Sequence, residues 1–339
     1  MTKSSNNMKI NFVSVGGYAV SGGASVRDIL KEFKCFKDIG TEFRLIKDPY
    51  GIMDLEESLV KNWRDNLNSD LAIKNFKWLA NNLSRNESKF SRIGFSYNKR
   101  INPDFNQITS EYIHSLTDFQ YKANWHLLRF DDSYLKQIYN KVLGKLNIDE
   151  KLKIIYYSIP TQDMFTFATK SYIEKLFSSL SENGKFNIVL HNGIPTKHAQ
   201  KAFKYFQSIK MIIVDRDPRD TFVDVINRKV NFFLGEQLIE QENANIFVKD
   251  FLKRREDQIK HLKDKRILLL RFEDLVLNYE ESLTKIYNFL EINAENHILK
   301  GKYFNPEISK KNIGLWKNFS NKKPLNFIAK NLSDYLHTD

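Results

Sequence analysis

Five runs rich in aliphatic residues punctuate the chain, each bounded by charged or turn residues: KINFVSV (9–15), KIIYYSI (153–159), FNIVLHN (186–192), KMIIVDR (210–216) and RILLLRF (266–272). Short continuous apolar runs of this kind mark strands covered on both faces. EFRLI (42–46) is a shorter sixth run. Between most of them lie segments such as SYIEKLFSSL, HAQKAFKYFQSI and EESLTKIYNFLEI, in which apolar residues recur three and four apart. That is the spacing of helices with one buried side. The alternation predicts an α/β fold, a parallel central sheet flanked by helices.

Residues 54–147 break the alternation. LEESLVKNWRDNL, IKNFKWLANNL and FQYKANWHLLRF are long, polar and helical in spacing. They predict a helical insertion between the second and third strands, forming a wall over the carboxyl edge of the sheet, where open α/β sheets bind ligands. No internal repeat and no Pro/Gly/Ser linker divides the chain, so residues 8–320 are expected to form a single domain and 321–339 a C-terminal tail.

The balance of 53 Lys+Arg against 41 Asp+Glu leaves a formal +12, which favours an anionic partner, although most of these cations belong to an ordinary solvated surface. Cys35 is the only cysteine, which excludes an intrachain disulfide and a cysteine-built metal cluster and fits a reducing compartment. MTKSSNNMK lacks a signal peptide's apolar region, and no window approaches the ~18 apolar residues of a membrane span. A cytoplasmic protein without an integral membrane segment is expected; peripheral contact is left open. No zinc-finger spacing, RNP-like aromatic motif or dense basic tail points to nucleic acid. No HExxH and no carboxylate cluster points to a metal.

Candidate chemistry begins at SVGGYAVSGGASV (14–26), a glycine-rich turn between the first strand and a helical segment. Unpaired backbone N–H groups and the helix dipole make such a turn a phosphate cradle. Gly22 and Gly23 permit close approach, while Ser21 and Ser25 add hydroxyls. The pattern GxxxxGK[ST] is absent, which argues against nucleoside triphosphate hydrolysis. A tight turn with no ligand is about as good an account of this segment taken alone. At the end of another strand, Arg216, Asp217, Pro218 and Arg219 combine a helix-starting proline with two arginines suited to clamp a phosphate. A capped helix start with solvated arginines is the plainer alternative.

With RFEDLVLNYEESLTKIYNFLEI and ISKKNIGLWKNFS following in order, the four segments together resemble the sulfotransferases that use 3′-phosphoadenosine-5′-phosphosulfate (PAPS), the carbohydrate-type members more than the small-molecule type. Ser21, Gly22, Gly23, Ala24 and Ser25 run through the register of that family's 5′-phosphosulfate motif. Arg216-Asp217-Pro218-Arg219 is similar to its 3′-phosphate motif, which implies that Arg216 binds the 3′-phosphate. Phe272-Glu273-Asp274-Leu275 resembles its Y-E-D-L stretch. Gly314-Leu315-Trp316-Lys317 resembles its G-x-W-K element, whose preceding basic residues, here Lys310 and Lys311, also reach the 3′-phosphate. Two positions depart from the pattern. Val20 stands where the loop has Lys or Arg, leaving the charge to Arg27, Arg44 or Lys47 or its place to backbone N–H groups. Asp224 stands where a serine usually binds the 3′-phosphate, so that either Thr221 or Asn227 substitutes or the phosphate sits differently.

The resemblance implies PAPS as co-substrate, sulfuryl transfer to an acceptor hydroxyl, and no metal. A base should take the acceptor's proton. His191, ending FNIVLHN, is the first candidate and Glu42 in TEFRL the second, each set against an ordinary structural role. Trp63, Trp78 and Trp125 offer stacking faces for a sugar or polysaccharide acceptor, although tryptophans at helical spacing are more often core. A P-loop kinase, a nucleic-acid-binding module and a PAPS-like binding protein without turnover are the competing readings.

Overall fold

The computed structural model describes residues 11–86, 94–123, 133–145, 152–180, 187–228 and 241–337. Its strands are β1 (Asn11–Gly17), β2 (Phe36–Glu42), β3 (Phe119–Ala123), β4 (Lys153–Tyr157), β5 (Asn187–His191), β6 (Ile209–Asp215) and β7 (Ile267–Arg271). Five of them form a parallel sheet in the order β2-β5-β1-β6-β7. The interior strands β5, β1 and β6 are the aliphatic runs whose burial is nearly continuous, as strands covered on both faces must be.

Two of the expected strands differ. KIIYY pairs antiparallel with β3 in a separate two-stranded sheet, so it is not a strand of the central sheet. Only part of it is covered: Ile155 and Tyr156 are buried while Lys153 and Ile154 are exposed. The second strand of the central sheet is FKDIGTE rather than EFRLI. An edge strand has one neighbour and one covered face, so its mixed polarity hides it, and the apolar Phe43, Leu45 and Ile46 are buried in the turn that follows.

Helices cover both faces. On one side α2 (Asn66–Ser84), α3 (Phe105–Leu116) and α4 (Gln162–Phe177) pack Phe76, Tyr112 and Phe165 into a core with Phe12, Leu190 and Ile213. On the other side α1 (Gly23–Leu30) and α7 (Tyr279–Leu290) bury Val26, Ile29 and Leu283 against Val13, Val15 and Val214. A third core joins α5 (Pro218–Asn227), α6 (Gln241–Arg255) and α8 (Lys322–Asn331), the last burying Leu325 and Ile328. Among the described residues no helix is long and apolar enough to cross a membrane.

Strand order fixes where a ligand can sit. From β1 the chain runs to β2 on one side of the sheet, and from β6 it runs to β7 on the other. The two outgoing connections therefore diverge at the β1–β6 boundary and leave a crevice at the strands' carboxyl ends.

Glu56 ties the start of α4 to the turn that leads into β6. Its buried carboxylate accepts from Tyr205 Oη at 2.7 Å and Gln162 Nε2 at 2.6 Å, and it pairs with Lys61 at 3.0 Å and with Lys204. Burial alone would raise its pKa; hydrogen bonds from Lys204, Tyr205, Gln162 and Lys61 overcome that and hold it at about 2. A depressed carboxylate stabilises the fold above its unfolded-state pKa, and that contribution fades as pH falls toward the folded value. Urea unfolding should therefore show wild type losing its advantage over Glu56→Gln between about pH 4.5 and 2, with the difference constant above that window.

Candidate active site

The turn after β1 is held in an unusual backbone conformation. Ala19 has φ 62°, Val20 φ 49° and Gly22 φ 94°. Left-handed backbone at a β-branched residue costs roughly 1–3 kcal/mol and persists only where surrounding contacts enforce it. Here the enforcing contact is Ser21. Its hydroxyl donates to Val214 O on β6 at 2.6 Å and accepts from Tyr18 N at 2.9 Å. A Cβ at Gly22 would lie 2.4 Å from the Phe272 ring, and one at Gly23 2.8 Å from the Gly16 carbonyl carbon, so both positions require glycine.

Ser21 lines a cleft of about 310 Å³ together with Gly22, Gly23, Ala24 and Ser25. It is 1% exposed and its hydroxyl is committed to backbone on both sides, so its main part is to shape the turn. At the start of α1 the Gly23 and Ala24 N–H groups have no intrahelical acceptor. The first turn carries no acidic residue, so the dipole's positive end is uncompensated.

Arg216 enters the same cleft from the end of β6. It is 3% exposed and sits 5.1 Å from the Phe272 ring centroid. Its Nη1 donates to Asp224 Oδ2 at 2.7 Å and Val20 O at 3.1 Å, and its Nη2 to Asn312 O at 2.6 Å. Its Nε is buried without a partner. Asp224 also accepts from Arg228 Nε at 2.5 Å, so one carboxylate lies between two arginines that both line the cleft. Arg219 is elsewhere: it clamps Asp217 at 2.6 Å and stacks 3.9 Å from the Trp316 ring centroid.

Four expected ligands are not in the cleft wall. Lys310 pairs with Glu307, and neither Lys310 nor Lys311 lines the cleft; Ser309 and Asn312 do. Residues 310–312 form a 3-10 turn, whose three-residue period puts 309 and 312 on one face. Asn227 is exposed and likewise outside the wall, because positions 224 and 228, four apart on a helix, share the inward face. Thr221 is buried with its hydroxyl unpartnered, and is not a wall residue. Arg228, Phe272, Ser309 and Asn312 escaped sequence reasoning; helical spacing from Asp224 could have found Arg228.

His191 and Glu42 are brought together. They face each other across the β2–β5 pairing at the strands' carboxyl ends. His191 lines the cleft, and no described residue hydrogen bonds to its ring. Burial, with help from Arg27 and Lys47 nearby, pushes its pKa below the ordinary histidine value against the opposing pull of Glu42 and Asp38. Burial would raise the Glu42 pKa, but a 2.7 Å hydrogen bond from Asn192 Nδ2 and the neighbouring Arg44, His191 and Lys47 hold it below the ordinary value. Glu42 lines a second cavity, of about 660 Å³, which shares Gly17, Ala19, Val20 and Asn192 with the cleft.

Of the cations expected to replace a loop lysine, Arg27 is paired with Asp38 at 2.6 Å and Arg44 with Glu42 and Asp48 at 2.6 and 2.5 Å. Lys47 lines the second cavity. Trp63 donates to Ser69 at 2.9 Å and Trp78 packs edge-on against Tyr50, so both lie away from the two cavities. Trp125 is outside the described residues. Among the described residues no group of three or more His, Cys, Asp and Glu is placed to hold a metal ion.

A family model described as the sulfotransferase domain matches residues 77–313. The chain belongs to the sulfotransferase family. It is accordingly an enzyme of sulfuryl transfer, and the matched span takes in His191, Arg216 and Asn312 while starting beyond the glycine turn. No curated protein matches the chain. Among solved structures, the chain is similar to the sulfotransferase domain of the curacin biosynthetic pathway, at 16% identity over 97% of this chain and 99% of that one, TM-score 0.42. The sulfotransferase domain of the Synechococcus PCC 7002 olefin synthase is 11% identical over the full length of both chains, TM-score 0.40. Sulfotransferase STF9 from Mycobacterium avium is 11% identical over 97% of this chain and 78% of that one, TM-score 0.39. Likenesses this remote carry no argument about substrate.

Removing the Ser21 hydroxyl leaves a buried carbonyl and a buried N–H without partners. Ser21→Ala should cost about 1–3 kcal/mol in urea unfolding and weaken nucleotide binding through the turn's shape.

Proposed function

We propose that the chain takes PAPS as donor and transfers its sulfuryl group to a hydroxyl of a carbohydrate or polysaccharide precursor. The observation that supports this best is the convergence of the glycine turn, Arg216 and His191 on one cleft at the β1–β6 boundary. The residues present suit the donor: a backbone cradle that admits no Cβ at Gly23, and a buried arginine whose Nε has no partner. The donor would supply a sulfuryl group activated by its bond to phosphate.

In this reading the Gly23 and Ala24 N–H groups and the Ser25 hydroxyl hold the 5′ end, with the α1 dipole supplying the positive charge that position 20 lacks. Arg216 and Arg228 hold the 3′-phosphate. Asp224 keeps the two guanidiniums together and cancels one of their charges. His191, neutral at pH 7, takes the acceptor proton, and Asn192 keeps Glu42 oriented beside it.

His191→Asn should lower kcat by ~10²–10⁴-fold. A base works only when deprotonated, and the His191 pKa lies below 6.5, so wild-type kcat/KM should be flat near neutrality and fall only at pH values beneath 6.5. An unchanged profile in the variant would remove His191 from the chemistry. Calorimetry should show preference for adenosine 3′,5′-bisphosphate over ADP, lost in Arg216→Ala. Asp224→Ser, which frees Arg216 of its carboxylate, should tighten bisphosphate binding by up to about tenfold, ~1.4 kcal/mol. Equal affinity for bisphosphate and ADP would overturn the assignment of the 3′ site.

A further inference from the structure

The second cavity has a chemistry of its own. Its wall includes Arg44 and Lys47 from the segment after β2, Lys197 from the loop after β5, and Lys253 and Arg254 from the end of α6. Five cations from three separate segments thus meet one carboxylate, Glu42. The wall contains no aromatic ring and no Leu, Ile, Met or Phe; Val20, Ala19 and Pro195 are its apolar members. A flat aromatic or long-chain acceptor would find nothing to cover it, and a sugar would find no stacking face.

The cations are not equivalent. Arg44 is held by Glu42 and Asp48, Lys197 and Lys253 share Glu256, and Arg254 pairs with Asp250 at 2.6 Å. Lys47 has no ion pair and no hydrogen bond among the described residues. Although much of its side chain is open to solvent, burial of the ammonium lowers its pKa, and Arg44 and Arg254 push it further down against the opposing Glu42 and Asp48. An under-compensated cation in a cation-lined cavity, within electrostatic reach of the His191 ring, is placed to receive an anion.

We propose that this cavity is the acceptor site and that it selects a hydroxyl-bearing acceptor carrying an anionic group, a phosphate or a carboxylate, bound by Lys47 with Arg254 and Lys253 beside it. The inference rests on the sulfotransferase reading. It places the anion on the side of Val20 and Asn192 away from the nucleotide, with the hydroxyl directed toward His191. The same cations would repel a positively charged acceptor, so selection works by exclusion as well as by attraction.

The test uses the full chain saturated with adenosine 3′,5′-bisphosphate, which fills the cleft and leaves the second cavity as the place for a small ligand. Glycerol 3-phosphate, glycerate and glycerol are titrated by calorimetry. The phosphate or the carboxylate compound, or both, should bind and glycerol should not, and the stronger of the two names the anion. Lys47→Gln should weaken that binding at least tenfold while bisphosphate affinity stays within twofold, which also shows that the variant is folded. Arg254→Gln should weaken it less. If neither anion binds the loaded protein, or if Lys47→Gln binds as wild type does, the inference is wrong while the nucleotide reading stands. A loss of bisphosphate affinity in Lys47→Gln would move Lys47 to the nucleotide and overturn it equally. Failure of wild type to bind bisphosphate would instead defeat the underlying reading.

Discussion

The site depends on one hydroxyl. Ser21 spans the gap between the turn after β1 and the last residues of β6, accepting a hydrogen bond from Tyr18 N and donating one to Val214 O. Those two bonds fix the chain where Ala19 and Val20 adopt left-handed backbone, and they bring the Val20 carbonyl to Arg216. The glycines at 22 and 23 allow this path; the serine enforces it. A residue that resembles a ligand in sequence therefore acts as the fastener of the turn itself.

Charge in the cleft follows a similar economy. Arg216 is almost wholly buried, and a buried guanidinium without a carboxylate would be costly. Asp224 meets that requirement and simultaneously anchors Arg228, so one carboxylate holds two arginines beside the cleft. Asp220 performs the matching task for the chain's last third: it accepts from Gly314 N at 2.8 Å and Trp316 N at 3.2 Å, which docks the G-L-W-K segment and presents Ser309 and Asn312 to the cleft. Glu273 accepts from Asp217 N at 2.7 Å and fixes the start of α5. The acidic residues of these motifs are structural, and they set the positions of the groups that face the cleft.

What could be read from the sequence follows from what patterning encodes. The interior strands β1, β5 and β6 were legible because continuous burial leaves a continuous aliphatic signature, and the edge strand β7 was legible from its run of Ile and Leu; the glycine turn, Arg216 and His191 each lie at a strand's carboxyl end, where the sequence placed them. The edge strand β2 was misplaced because one covered face leaves no such run. β4 was assigned to the wrong sheet because an apolar run does not say which strand it pairs with. Side-chain direction was the other blind spot. Lys310 and Lys311 have the right charge at the right distance along the chain, yet a 3-10 turn points their neighbours inward. Ser21 has the right chemistry, yet its hydroxyl is consumed by backbone. Composition and spacing specify which groups are available, and only the local backbone decides which of them meet a ligand.

The partition between the two cavities is made of Gly17, Ala19, Val20 and Asn192, each of which touches both spaces. A partition so thin cannot respond to one occupant without being felt by the other. Thermodynamic reciprocity then requires that any factor by which an occupant of one space alters affinity in the other is returned unchanged. Because the strained Val20 belongs to this shared wall, relaxing or tightening the turn changes both spaces at once.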